Sequence, residues 1–161
     1  MLKKISENIN DILNIMEQFE EAASEVYKSC GQAWSHDKEF WADMGEAEVK
    51  HAQNIKRMKE LISKRPEGFT VNPQFKSAAV KTAILGLRWH IYRLEKNQMT
   101  EDRMFYIARD IEQSILESGY KDAVTTNDAA FQALMGEIVS DTVAHHDQLD
   151  RKINSLTASR S

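Results

Sequence analysis

Apolar residues recur every three or four positions over long reaches of this chain, and short polar clusters separate those reaches. The pattern predicts five helices. The first runs from about Ser6 to Ala33 and stops near "WSHD". The second runs from about Asp37 to Lys64, where "RPEG" supplies the Pro and Gly of a stop signal. The third opens at "NPQF", with Asn72 as cap and Pro73 in the first helical position, and continues to about Asn97. Thr100, followed by two acids, caps a fourth helix reaching about Lys121. "TTND" introduces a fifth, from about Asp128 to Leu156, leaving 157–161 as a disordered tail after a single domain of residues 1–156.

Within two of these helices the apolar stripe is broken at mid-length by residues that do not belong in a core. On the second helix it reads Trp41, Met44, Glu48, His51, Ile55, Met58, Ile62. On the first it reads Leu13, Met16, Glu20, Ala23, Tyr27, Cys30, Trp34. A carboxylate in such a position costs several kcal/mol unless it is paired, protonated or bound to a cation. A metal ion meets that demand most directly. Glu-x-x-His is weak as a motif, and a half-exposed pair on a helix edge would need no ligand. Its stripe position on two successive helices is the stronger signal.

Composition narrows the classes. Of 161 residues, 42% are hydrophobic and 29% charged, with six Gly and two Pro, which favours long helices over a strand-rich fold. A net charge of −4 with dispersed bases argues against a nucleic-acid surface. No apolar run approaches membrane-spanning length, and "MLKKISENIND" lacks the apolar core of a signal peptide, so a cytoplasmic protein is expected. The lone Cys30 excludes an internal disulfide and a Cys-x-x-Cys knuckle, and its stripe position reads as core. Trp34, Trp41 and Trp89 read as packing at the bundle end or on the third helix, His36 as a turn residue, and His90, Arg93 and His146 as outward-facing.

"FEEAASEVY" (residues 19–27), followed by Glu48-x-x-His51 on the next helix, resembles the ferritin-like superfamily, in particular its rubrerythrin branch. The resemblance implies an all-α, ferritin-like four-helix bundle with an additional long crossover helix. It further implies a glutamate with a tyrosine seven residues later on the first helix (Glu20, Tyr27), Glu-x-x-His on the second, and a repeat of the pair on two further helices to hold two irons. The chain also resembles itself. "ADMGEAEVKHAQNI" returns as "ALMGEIVSDTVAHHDQL", sharing Met-Gly-Glu at 44–46 and 135–137, and with a three-residue offset "VKHAQNI" lies against "VAHHDQL". A duplicated helix pair would produce this.

The second half departs from the pattern. Where Glu-x-x-His is expected, the chain reads Thr142-Val-Ala-His145, with Asp141 one residue early; Asp141 and His145 still share a face, in the stripe Leu134, Ile138, Asp141, His145, Leu149. The acid on the fourth helix is Glu112, although Tyr120 lies eight residues on and seven-residue spacing would select Gln113. Either Glu112, Asp141 and His145 are ligands, or this half has lost its ligands and Asp141 and His145 form an internal hydrogen-bond pair. In a ferritin-like bundle the second and fourth helices run parallel, so residues 65–100 must return along the bundle. A helix of about 25 residues rises about 37 Å, enough for that return. Its apolar surface (Phe75, Ala78, Thr82, Leu85, Trp89, Tyr92, with Val80, Ile84, Leu87, Ile91) is expected to pack on the bundle or on a second subunit, as in a homodimer.

The resemblance implies a di-iron centre, with manganese as the alternative, ligated by Glu20, Glu48, His51, Glu112, Asp141 and His145 beside a redox-active Tyr27. It implies an oxidoreductase of peroxidase or ferroxidase type, acting on peroxide or dioxygen, or a protein that handles iron itself. The chain lacks the four cysteines of a rubredoxin domain, so an external reductase would supply electrons. The competing expectation is a metal-free, degenerate helical module that works by binding a partner protein.

Overall fold

The computed structural model describes the backbone of residues 2–160 and the side chains of residues 8–160. Among the described residues five α-helices form: α1 (Leu2–Ala33), α2 (Lys38–Lys64), α3 (Ser77–Glu95), α4 (Glu101–Glu117) and α5 (Ala129–Ser159). The expected cap at Thr100 is in place, and Asp128 also caps its helix. The Thr100 side chain accepts from the Arg103 N–H, and Asp128 accepts from the Phe131 N–H. The N-cap of α2, Asp37, makes no side-chain cap bond and pairs instead with Lys152 of α5.

Contacts between named residues set the helix directions. Gly31 lies against Trp41, Ser24 Oγ donates to the Gly45 carbonyl at 3.0 Å, and Glu17 pairs with Lys59, so α1 and α2 run antiparallel. A Cβ on Gly45 would meet Lys28 Cγ at 3.1 Å, so glycine there allows the close approach of the two helices. Arg109 pairs with Asp150 and Asp102 with Arg160, which makes α4 and α5 antiparallel as well. Trp41 stacks on Phe105 at 5.0 Å and donates from Nε1 to Glu101 at 3.1 Å, while Tyr27, further from that end, reaches Glu112. Helices α2 and α4 are therefore parallel, and α3 lies in the return connection, packed on α1.

Each end of the bundle is closed differently. Near the turn at 34–37, Trp41 is fully buried among Tyr27, Trp34, Phe40 and Phe105. Cys30 is buried in the same core, and burial pushes its thiol pKa up. At the other end a two-stranded antiparallel ribbon, β1 (Phe69–Val71) with β2 (Val124–Thr126), joins the loop after α2 to the loop before α5, and Phe69 packs on Phe131 at 5.4 Å.

Three sequence expectations change here. The third helix begins at Ser77, because Val71 is in β1, the Asn72 N–H bonds to the Ala123 carbonyl, and the Asn72 side chain accepts from the Gln74 N–H in a turn of its own. Helix α5 continues to Ser159, into the expected tail of residues 157–161, of which Ser161 lies outside the described residues. Of the two apolar sets on the third helix, Val80, Ile84 and Leu87 are buried and Ile91 is half-buried, whereas Leu85, Trp89 and Tyr92 face out. Among the described residues no helix is long and apolar enough to cross a membrane.

Truncating Trp41 should cost about 3–5 kcal/mol, the usual range for a large aromatic removed from a core. Chemical denaturation of Trp41→Ala against the parent measures it. A loss below about 1 kcal/mol would show that the aromatic layer is not what closes this end.

Candidate metal centre

The polar residues that break the stripes of α1 and α2 meet counterparts from α4 and α5 in the middle of the bundle. Glu20, Glu48, His51, Glu112 and His145 have relative exposures of 1%, 3%, 0%, 3% and 8%. Glu48 is central. Its Oε2 lies 3.3 Å from His51 Nδ1, and its Oε1 lies 3.4 Å from His145 Nδ1. Glu20 Oε2 stands 3.7 Å from His51 Nδ1, and Glu112 Oε2 stands 3.7 Å from His145 Nδ1. Two groups of donors result, Glu20–Glu48–His51 and Glu48–Glu112–His145, each with ligand atoms within 4.8 Å of one another. Both draw on Glu48.

Two tyrosines fix the outer glutamates, each from the opposite half. Tyr27 of α1 donates to Glu112 Oε1 at 2.6 Å, and Tyr120 donates to Glu20 Oε1 at 2.8 Å. Each carboxylate thus keeps one oxygen on a phenol and turns the other toward an imidazole. Tyr120 is not on α4. That helix ends at Glu117, Gly119 takes a left-handed conformation with φ +74°, and the 3-10 turn Tyr120–Asp122 carries the ring back into the core. This accounts for the eight-residue spacing from Glu112. Gln113 is not in the cluster and donates to Glu117 on the surface of α4.

Asp141 occupies another place than the ligand set expected from the sequence. It is in neither donor group: its Oδ2 lies 3.0 Å from His51 Nε2, behind the ring, and its side chain is 37% exposed. One residue on, Thr142 is the buried position facing inward, and its hydroxyl donates to the Ile138 carbonyl at 2.8 Å. The repeat is therefore in register through His51 and His145. The Met-Gly-Glu match is not: Gly45 packs on α1, while Gly136 has open space above it and lines a cavity of about 580 Å³ between β2 and α5.

Burial and mutual proximity shift the proton affinities of the cluster. Burial raises Glu20 to about 8, with the neighbouring Glu48 adding to the effect. Burial by itself would lower both imidazoles, but the carboxylates around them prevail. Glu20 and Glu48 hold His51 up to about 11, and Glu112 and Glu48 hold His145 up to about 9. For Glu48, burial and Glu112 push upward, yet contacts from Glu20, His145 and His51 leave it below its ordinary value. Burial, then the facing glutamates, push both tyrosines well above the usual phenol range. In the metal-free protein the cluster is thus neutralised by protons.

The donor set fits divalent metal ions. Bonds of about 2.1 Å place neighbouring ligand atoms roughly 3.0–3.4 Å apart, close to the spacing already present. Glu48 Oε1 and His145 Nδ1, 3.4 Å apart, are buried without a hydrogen bond of good geometry, which a cation between them could satisfy; His90 Nδ1, outside the cluster, is also buried without a partner. Comparison with known proteins returns no match: no family model, curated protein or solved structure is significantly similar to this chain.

The remaining histidines lie outside the cluster. His36 is exposed, His146 pairs with Asp147 and Asp150, and His90 is half-buried in a cleft between α3 and α4.

Glu20, His51 and His145 each keep a proton in the metal-free fold at pH values where the unfolded chain has released it. The unfolded values are near 4.5 for Glu20 and 6.5 for the imidazoles, and the folded values are about 8, 11 and 9. Metal-free stability should therefore fall as pH rises across 4.5 to 11, most steeply above 6.5. Thermal melts of chelator-treated protein across that range check the sign. Adding Zn²⁺ near pH 7 should release protons to an indicator dye. A flat melting profile without proton release would refute this account of the cluster.

Proposed function

We propose that the chain is a ferritin-like, rubrerythrin-type protein that binds two divalent ions, iron before manganese, and supports redox chemistry with peroxide or dioxygen at the expense of an external reductant. The observation that carries the reading is Glu48, whose two buried oxygens face the Nδ1 atoms of two histidines on different helices. The antiparallel pairs α1–α2 and α4–α5, joined through a long return connection, agree with the ferritin-like arrangement. His51 and His145 would each give one imidazole, Glu20 and Glu112 one terminal carboxylate each, and Glu48 would serve both ions.

Held by these residues, a ferrous pair would supply two electrons to an oxidant. The protein's own part is to hold the pair in a nearly dry core and to keep its anionic ligands oriented. Tyr27 has a particular position, since its hydroxyl is bonded to Glu112 and its ring stacks on Trp41 at 6.0 Å. That phenol can pass a proton to the carboxylate or an electron to the site. With one buried cysteine and no second redox motif, electrons for repeated turnover would come from a separate reductase.

A second reading has one observation in its favour. Leu85, Trp89 and Tyr92 form an exposed stripe on α3, as on a metal-free module that docks a partner. Iron content separates the two. Protein loaded anaerobically with Fe²⁺ should hold about two ions per chain, and Glu48→Ala should lose most of both and melt at the temperature of the metal-free form. On adding peroxide or dioxygen, near-ultraviolet absorption should grow once and stop unless a donor is present. No metal after iron-replete expression would favour the partner module. Iron that loads fully but reacts with neither oxidant would make the site a store or a structural brace.

A further inference from the structure

The two donor groups mirror each other in their distances to Glu48 but not in what stands behind them. His51 is wholly buried, and its Nε2 lies 3.0 Å from Asp141 Oδ2. A carboxylate in that position holds the ring in the tautomer that presents the Nδ1 lone pair to the site, and makes that nitrogen more basic. The carboxylates near His145, Glu48 and Glu112, both approach its Nδ1. Among the described residues no carboxylate pairs with its Nε2, so none holds the ring in the tautomer that offers a free Nδ1 lone pair or makes that nitrogen more basic.

Charge is distributed in the same sense. Both halves share Glu48, and each has one terminal glutamate. The half around His51 has Asp141 as a further anion, whereas the half around His145 has Thr142 where the repeat would place an acid. That hydroxyl is turned to its own helix at the Ile138 carbonyl. Exposure follows suit, with His145 at 8% against 0% for His51. A cation beside His145 would be less neutralised, held by a less basic imidazole and nearer to water.

We infer that the halves differ in kind: Glu20–Glu48–His51 keeps a resident ion, while Glu48–Glu112–His145 is an exchange site for a second divalent cation. This rests on the two-ion reading above and adds an order of filling to it. The second ion is then cargo or a replaceable reactant, and the resident ion sets Glu48 in position to receive it.

Co²⁺ is a suitable probe, because its visible absorption reports each binding step without redox chemistry. Titrated into metal-free protein against a competing chelator, Co²⁺ should bind in two steps whose dissociation constants differ at least about tenfold. Glu112→Gln should abolish only the weaker step. Asp141→Ala should weaken the tighter step by about 10–100-fold, the usual effect of removing a carboxylate behind a metal-bound histidine, and leave the weaker one in place. If that variant misfolds by circular dichroism, Asp141→Asn, which keeps an acceptor but loses the charge, should move the tighter step in the same direction. Two equal steps in the parent, or a substitution at Asp141 that weakens both equally, would overturn this inference alone. A chain that binds no Co²⁺ would overturn it together with the two-ion reading.

Discussion

Glu48 is a carboxylate held almost without water between two imidazoles, and much of the architecture follows from keeping it there. An unpaired buried charge of this kind would destabilise the fold by several kcal/mol, so each helix must deliver its share of the compensation at the same height in the bundle. Helix α2 brings His51 one turn after Glu48, α5 brings His145 from the opposite direction, and α1 and α4 bring Glu20 and Glu112. A slip of one helix by a turn would leave both the glutamate and a histidine uncompensated. The polar cluster therefore specifies register as well as chemistry, while the surrounding apolar layers supply the bulk of the stability.

The two tyrosines extend that constraint across the seam between the helix pairs. Direct packing between α1 and α4 is sparse; Tyr27 of α1 reaches Glu112 of α4, and Tyr120, on the turn after α4, reaches Glu20 of α1. Each phenol satisfies one oxygen of a buried acid, which removes part of its desolvation cost and fixes its rotamer. The oxygen left free is the one that faces an imidazole. Orientation of the site thus comes from hydrogen bonds that cross the molecule, a form of preorganisation in which each half is aligned by the other.

The fold was largely legible in the chain because helical periodicity and caps are local. Stripes of three-and-four spacing, Thr100 as a cap, and the scarcity of Gly and Pro are visible without knowing any neighbour. Glu20, Glu48 and His51 could be picked out for the same reason: each lies in line with residues that must be buried. The β1–β2 ribbon could not, since strands of three residues carry no period, and only their pairing across residues 69–71 and 124–126 makes them strands. The start of α3 moved with it.

Sequence by itself determined which helices form, which of their faces turn inward, and that charged residues interrupt those faces at mid-length, because these depend on residues within a turn or two of one another. Only the tertiary structure decided how the second half is used. Helical spacing put Asp141 in the inward stripe, but the packing of α5 buries Thr142 in the core and sets Asp141 behind His51. Spacing from Tyr120 would have favoured Gln113, but the left-handed Gly119 takes the tyrosine off the helix, leaving Glu112 inside and Gln113 outside. A period assigns a residue to a face of about 100°. Choosing between neighbours on that face takes a contact from another helix, and that information exists only once the chain has folded.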